Sequence, residues 1–103
     1  DQIIAASGSG KKEVQEKYIS KSLQKELEGR KTILSAKDGK KYVKITADQE
    51  TDYEYEVITP IICEGDVIGG VLLLTKEEKK KFGELEQKLA SCAAAFLGSQ
   101  MEQ

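Results

Sequence analysis

The sequence predicts an α+β domain in which one antiparallel sheet is flanked by helices. Three observations predict it. Apolar residues recur at three- and four-residue steps in two stretches, Lys12 to Glu28 and Lys79 to about Gln100, which is helical spacing. Strand-like runs are joined by the turn-forming segments Asp38-Gly39 and Glu64-Gly65-Asp66. Val67 to Leu74 is almost unbroken in apolar character, as expected of a strand covered on both faces. Consecutive hairpins with helices outside the ladder point to an antiparallel sheet rather than a doubly wound parallel one.

Taken in order, Gln2 to Ala6 is a short apolar strand that runs into Ser7-Gly8-Ser9-Gly10, a turn. The first helix follows from about Lys12, capped by Ser9 or Gly10 and favoured by Glu13 at its positive end. Val14, Tyr18, Ile19, Leu23 and Leu27 form its buried stripe, and Gly29 is expected to close it in the left-handed conformation. Lys31 to Ala36 and Lys41 to Thr46 then read as a hairpin around Asp38-Gly39.

A polar loop through Asp48, Gln49 and Glu50 leads to a strand from Tyr53 to Cys63, where Tyr53, Tyr55, Val57, Thr59, Ile61 and Cys63 share one face. Pro60 lacks an amide donor, so this strand should be unpaired on one side there, or bulged. Val67 to Leu74 is the expected central strand. The last helix carries Phe82, Leu85, Leu89, Cys92, Ala93 and Phe96 as the stripe expected to cover the sheet, with small residues from Ala90 to Ala95 narrowing its waist.

With 103 residues the chain has the size of one domain, residues 1–103. Sixteen basic and 18 acidic residues give a net charge of -2, a balance that disfavours a phosphate-binding surface. The basic runs at Lys11-Lys12, Lys40-Lys41 and Lys79-Lys80-Lys81 each have acidic neighbours and read as solvated faces. No stretch is long and apolar enough to span a membrane, and there is no basic and then apolar leader. Cys63 and Cys92 stand far apart with apolar neighbours and form no metal or disulfide pattern, which fits the reducing cytoplasm.

The segment Pro60-Ile61-Ile62-Cys63-Glu64-Gly65-Asp66-Val67-Ile68-Gly69-Gly70 with Val71 to Leu74 resembles the late hairpin of GAF domains. Ile4-Ala5-Ala6-Ser7-Gly8-Ser9 with Lys11-Lys12, and the ending Ala94-Ala95-Phe96-Leu97-Gly98-Ser99-Gln100-Met101-Glu102-Gln103, sharpen the likeness. Together they resemble the C-terminal GAF domain of the stage V sporulation protein T family, of the AbrB type. The resemblance covers nearly the whole chain, with Lys31 to Thr51 the weakest match. It implies a GAF/PAS-like (profilin-like) fold with a helix and strand ahead of Asp1, so an N-terminally truncated domain. It also implies a DNA-binding domain further upstream and a response to a small molecule.

No enzymatic chemistry is expected. The chain has no His, no Gly-rich phosphate loop after a strand and no metal-ligand cluster. Ser7-Gly8-Ser9-Gly10 lacks the spacing and Lys of a P-loop and is better read as a turn and cap. Cys63 and Cys92 invite comparison with GAF-type methionine sulfoxide reductases, but packing suits their apolar settings better. Tyr42, Tyr53 and Tyr55 are the candidate cavity lining, and the alternative for them is a cross-strand aromatic cluster. Ser7 and Gly69 complete the candidate ligand site. Gly69 and Gly70 suggest close approach by a helix, backbone or ligand, and helix packing is the preferred cause.

Three functions follow, in order of preference. The first is a ligand-sensing and dimerising domain of a sporulation transcription regulator, with no cofactor, no nucleic-acid or membrane contact of its own, and self-association through its terminal helices, where Leu97 and Met101 extend the apolar surface. The second is a ligand-free oligomerisation module. The third is a small redox enzyme using Cys63.

Overall fold

The computed structural model describes residues 2–8, 18–39, 41–49 and 52–102. Its elements are β1 (Ile3–Gly8), α1 (Lys21–Glu28), β2 (Ile33–Ala36), β3 (Tyr55–Cys63), β4 (Asp66–Thr75) and α2 (Glu84–Gln100). The four strands form one sheet in the order β1-β4-β3-β2. The fold is α+β, with β4 inside the sheet as its apolar run predicts.

The sheet is mixed rather than wholly antiparallel. β3 pairs antiparallel with both β4 and β2, whereas β1 runs parallel to β4 with Ile3 opposite Gly69 and Ser7 opposite Leu73. A tight turn dictates antiparallel pairing only between strands it joins, and β1 reaches β4 across a long connection that includes α1. The β3–β4 turn forms as expected, with Glu64 and Gly65 both at positive φ, 50° and 86°. Pro60 lies beyond the end of β2, which covers only Tyr55 to Ile58, and the register slips between Ile61 and Ile62. The missing amide therefore faces no strand on that side.

The first helix is shorter than its apolar periodicity predicts. Ser20 is the N-cap in an extended conformation, and its hydroxyl accepts from the Leu23 amide at 3.0 Å. Ile19 pairs with Thr46, and Tyr18 is 90% exposed, so neither belongs to a helical stripe. The expected start at Lys12, its cap at Ser9 or Gly10, and Val14 lie outside the described residues. Gly29 keeps right-handed torsions, and the positive φ falls instead on Arg30.

The hairpin expected around Asp38-Gly39 has its turn but not its second arm. The Gly39 amide donates to Ala36 at 2.9 Å, and β2 then pairs with β3 instead of with residues 41–46. Those residues carry Tyr42, Val43 and Ile45, and Val43 and Ile45 are buried beside Leu23 and Leu27. The backbone partners of 45–47 lie in 18–20: Ser20 donates to Ile45 at 2.8 Å and Ala47 to Tyr18 at 2.9 Å. Burying two aliphatic side chains outweighs a short exposed ladder.

The core has two parts, one on each face of the sheet. On one face α1 supplies Leu23 and Leu27, which meet Val43, Ile45, Tyr53, Ile58, Leu72 and Leu74. On the other, Val57, Ile61 and Val71 meet Ala90 and Ala94 of α2, with Phe82 and Leu97 packed around them.

The second helix departs from expectation in both start and facing. It begins at Glu84, because the lysines at 79–81 oppose the positive helix end while Glu84 and Glu86 suit it, and the Glu86 carboxylate accepts from the Gly83 amide at 2.7 Å. Phe82 precedes the helix. Ala90, Ala94 and Gly98 face the sheet, while Leu85, Leu89 and Phe96 are 65%, 56% and 62% exposed and Cys92 and Ala93 are exposed with them. A Cβ at Gly98 would run into the Ile62 carbonyl. The small residues let the helix backbone lie close to the strands, and that contact excludes the larger stripe.

Candidate functional site

Tyr42 is the hub of the segment that covers the α1 face. Its hydroxyl accepts from the Tyr53 amide and from the Gln49 side-chain amide, both at 2.8 Å. Gln49 also accepts from the Ile45 amide at 3.0 Å and reaches the Asp52 carboxylate at 3.4 Å. Burial, opposed by the Tyr53 hydrogen bond, pushes the Tyr42 hydroxyl up to about 12, so it keeps its proton.

Beneath Tyr42 lies Glu56, wholly buried on β3. Its Oε1 accepts from the Val43 amide at 3.3 Å. Its Oε2 has no hydrogen-bond partner. Burial raises its pKa from 4.5 to about 8, outweighing the Val43 hydrogen bond and the nearby Tyr42 hydroxyl, which favour the charged form. A protonated carboxyl inside an apolar cluster is the state expected at neutral pH.

Tyr42 and Val43 also wall a cleft of about 620 Å³ between α1 and β2. Lys25, Lys31 and Lys41 stand around it with Glu26, which makes its rim cationic. Such a cleft has the size of a small-molecule site, and its charge suits an anionic group.

The five sequence-predicted site residues do not converge. Tyr42 and Tyr53 come together, but the Tyr53 ring is fully buried in the core with the Lys76 ammonium 5.4 Å from its centroid. Tyr55 points to the opposite face, 6.1 Å from the Phe82 ring, beside a groove of about 360 Å³. Ser7 lies exposed near the end of β1. Gly69 sits opposite Ile3, whose carbonyl a Cβ there would strike, so strand packing accounts for this glycine. Periodicity missed Glu56 and Gln49; the signal was Glu56 standing directly before a run covered on both faces.

A second polar cluster joins three elements on the α2 face. The Thr32 hydroxyl lies 2.6 Å from that of Thr59 and 3.0 Å from that of Ser91, at the floor of a groove of about 420 Å³. Cys63 offers no activated thiol. Desolvation, then the carboxylates of Glu64, Glu102 and Asp66, raise the Cys63 pKa, the reverse of what a nucleophile needs. Among the described residues no group of three His, Cys, Asp or Glu could hold a metal, and no helix is long and apolar enough to cross a membrane.

A mixed sheet with one capped helix over an aliphatic core and another exposing its large apolar residues describes an α+β domain built around packing and recognition. The sequence matches the family described as "Stage V sporulation protein T C-terminal, transcription factor" over residues 1–102. It is also 36% identical to stage V sporulation protein T of Bacillus subtilis (strain 168) over 103 residues, all of this chain and 56% of that protein. The chain belongs to the family of stage V sporulation protein T C-terminal domains, a family of transcription-factor domains, and spans just over half the length of that relative.

Proposed function

We propose that this chain is a GAF-like regulatory domain, residues 1–103, that senses a small molecule and dimerises within a sporulation transcription regulator of the cytoplasm. It has no catalytic role in this reading, because the Cys63 thiol is not activated and the perturbed Glu56 carboxyl is sealed in a core. DNA contact falls to other parts of the regulator, since this chain has a net charge of -2.

The observation that carries the proposal is the outward stripe of α2. Leu85, Leu89, Cys92 and Phe96 recur at steps of four, three and four, the spacing of a helix–helix seam, and three of them are more than half exposed. A second copy of the chain would cover that stripe in a two-fold contact. The cleft at Tyr42 lies across the sheet from it, so ligand occupancy would act on the seam through β3 and β4 by favouring one of two arrangements.

Sedimentation equilibrium tests the dimer: the wild type should associate at micromolar concentration, and Leu89→Ser should shift it to monomer with its circular dichroism unchanged. A monomeric wild type removes the dimer. Calorimetric titration with pools of amino acids, nucleotides and short carboxylates tests the sensor, with heat expected for the wild type and none for Tyr42→Ala. The filled core around Tyr53 favours a second function, a ligand-free oligomerisation module, which predicts association without any such heat.

A further inference from the structure

Residues 41–44 are held to the body of the domain largely by side chains. Ser35 Oγ donates to the Lys41 carbonyl at 3.1 Å, Ser20 Oγ donates to the Lys44 carbonyl, and the Val43 amide donates to Glu56. The Tyr42 hydroxyl is gripped by the Tyr53 amide and Gln49. Just beyond, Ile45 and Ala47 are tied to Tyr18 and Ser20 by backbone hydrogen bonds, with Ile19 and Thr46 bridged between them. The segment thus has a backbone-paired hinge at 45–47 and an arm at 41–44 anchored by side-chain hydrogen bonds.

Under that arm sits a wholly buried carboxyl whose Oε1 accepts from the Val43 amide and whose Oε2 has no hydrogen-bond partner, and the arm that covers it is also one wall of an open cleft. We propose that residues 41–44 form a flap over Glu56 that closes on the neutral carboxyl and opens when the carboxyl is ionised, a proton-operated latch that moves one wall of the cleft. Within the sheet the carboxyl's strand is flanked on both sides, by β2 at Ser35 and by β4 at Leu74.

The groups that face this site set the sign. On the flap side stand Tyr42, which keeps its proton, the Asp52 carboxylate, and Lys41. Around the cleft stand Lys25 and Glu26 from α1 and Lys31 from the lead-in to β2. The neighbouring strand residues Ser35 and Leu74 carry no charge. Asp52 opposes ionisation in the closed state, whereas an open flap admits water and brings the carboxylate toward the lysines. Opening therefore releases a proton, and the open fraction rises with pH between the ordinary glutamate value of 4.5 and about 8, then levels. The latch goes beyond the sensing role and stands whether or not the cleft takes a ligand.

Two amides report the flap directly, Val43, bonded to Glu56, and Tyr53, bonded to Tyr42. Hydrogen exchange resolved by NMR should show their protection, corrected for intrinsic rates, falling about tenfold per pH unit from pH 5 toward pH 8 and flattening above. Both should exchange faster than the Ser20 and Ala47 amides of the hinge and the amides of β4. In Glu56→Gln, which keeps an acceptor for Val43 but cannot ionise, the pH dependence should vanish. Protection of Val43 and Tyr53 that ignores pH, or that is lost only together with β4, would overturn the latch. If the variant does not fold, carbon-13 titration of the Glu56 carboxyl in the wild type decides: a midpoint near 8 supports the latch and one near 4.5 refutes it.

Discussion

The two faces of the sheet are packed by opposite means. On the α1 face, Leu23, Leu27, Val43, Ile45 and Tyr53 fill the space above Ile58, Leu72 and Leu74 with large side chains drawn from a helix and a long connection. On the α2 face, Ala90 and Ala94 meet Val57, Ile61 and Val71, and the helix backbone itself comes down on Ile62 at Gly98. The first solution consumes every large apolar residue of its helix. The second leaves Leu85, Leu89 and Phe96 outside. A helix with small residues on one side and large ones on the other is thus free to bury the smaller side when the strands beneath can be approached closely.

The largest test of this contrast is Leu27→Ala. Leu27 is fully buried and lies over Gly70, so the truncation leaves a cavity and should cost about 2–5 kcal/mol in urea unfolding. A loss below ~1 kcal/mol would mean that the α1 face is not the large-residue half of the core.

Gly98→Ala probes the other face by addition. The new methyl meets the Ile62 carbonyl, a backbone atom that cannot rotate away, and the expected loss is about 1–3 kcal/mol. A neutral result would place α2 further from β3 than described here.

Glu56 is the polar exception within the α1 face, and it makes that face pH-sensitive. The unfolded chain releases this proton near 4.5 and the folded chain only near 8, so between those values the folded state binds more protons. Stability should fall by up to ~1.4 kcal/mol per pH unit across that window, and Glu56→Gln should remove the slope. Parallel curves for the two proteins in thermal melts from pH 5 to 8 would show that Glu56 is not the source.

The smallest effect belongs to Ser20→Ala. It removes the cap of α1 and the bond to Lys44, and should cost ~1 kcal/mol while speeding exchange at the Leu23 amide. Unchanged exchange at Leu23 would assign the cap to another group.

Much of the fold was legible before any coordinates. The β3–β4 hairpin followed from Glu64-Gly65-Asp66, and the interior place of β4 from its unbroken apolar run, because both are local demands on torsion and solvation. That β3 would be unpaired on one side at Pro60 followed from its missing donor. Of the candidate site, only the meeting of Tyr42 with Tyr53 survives as a spatial pair. Ser7 and Gly69 lie on β1 and β4, and Tyr55 parts from Tyr53 because β3 begins only at Tyr55, so the two-residue alternation does not extend back to Tyr53.

Sequence by itself determined the four strands and the bodies of both helices, where the β3–β4 turn lies, and the family, since each depends on residues near one another along the chain. Only the tertiary structure decided the parallel pairing of β1, the inward path of residues 41–46, the outward stripe of α2 and the burial of Glu56. Each of these weighs contacts between distant segments, and a periodic pattern reports that a face is apolar without reporting what will come to cover it.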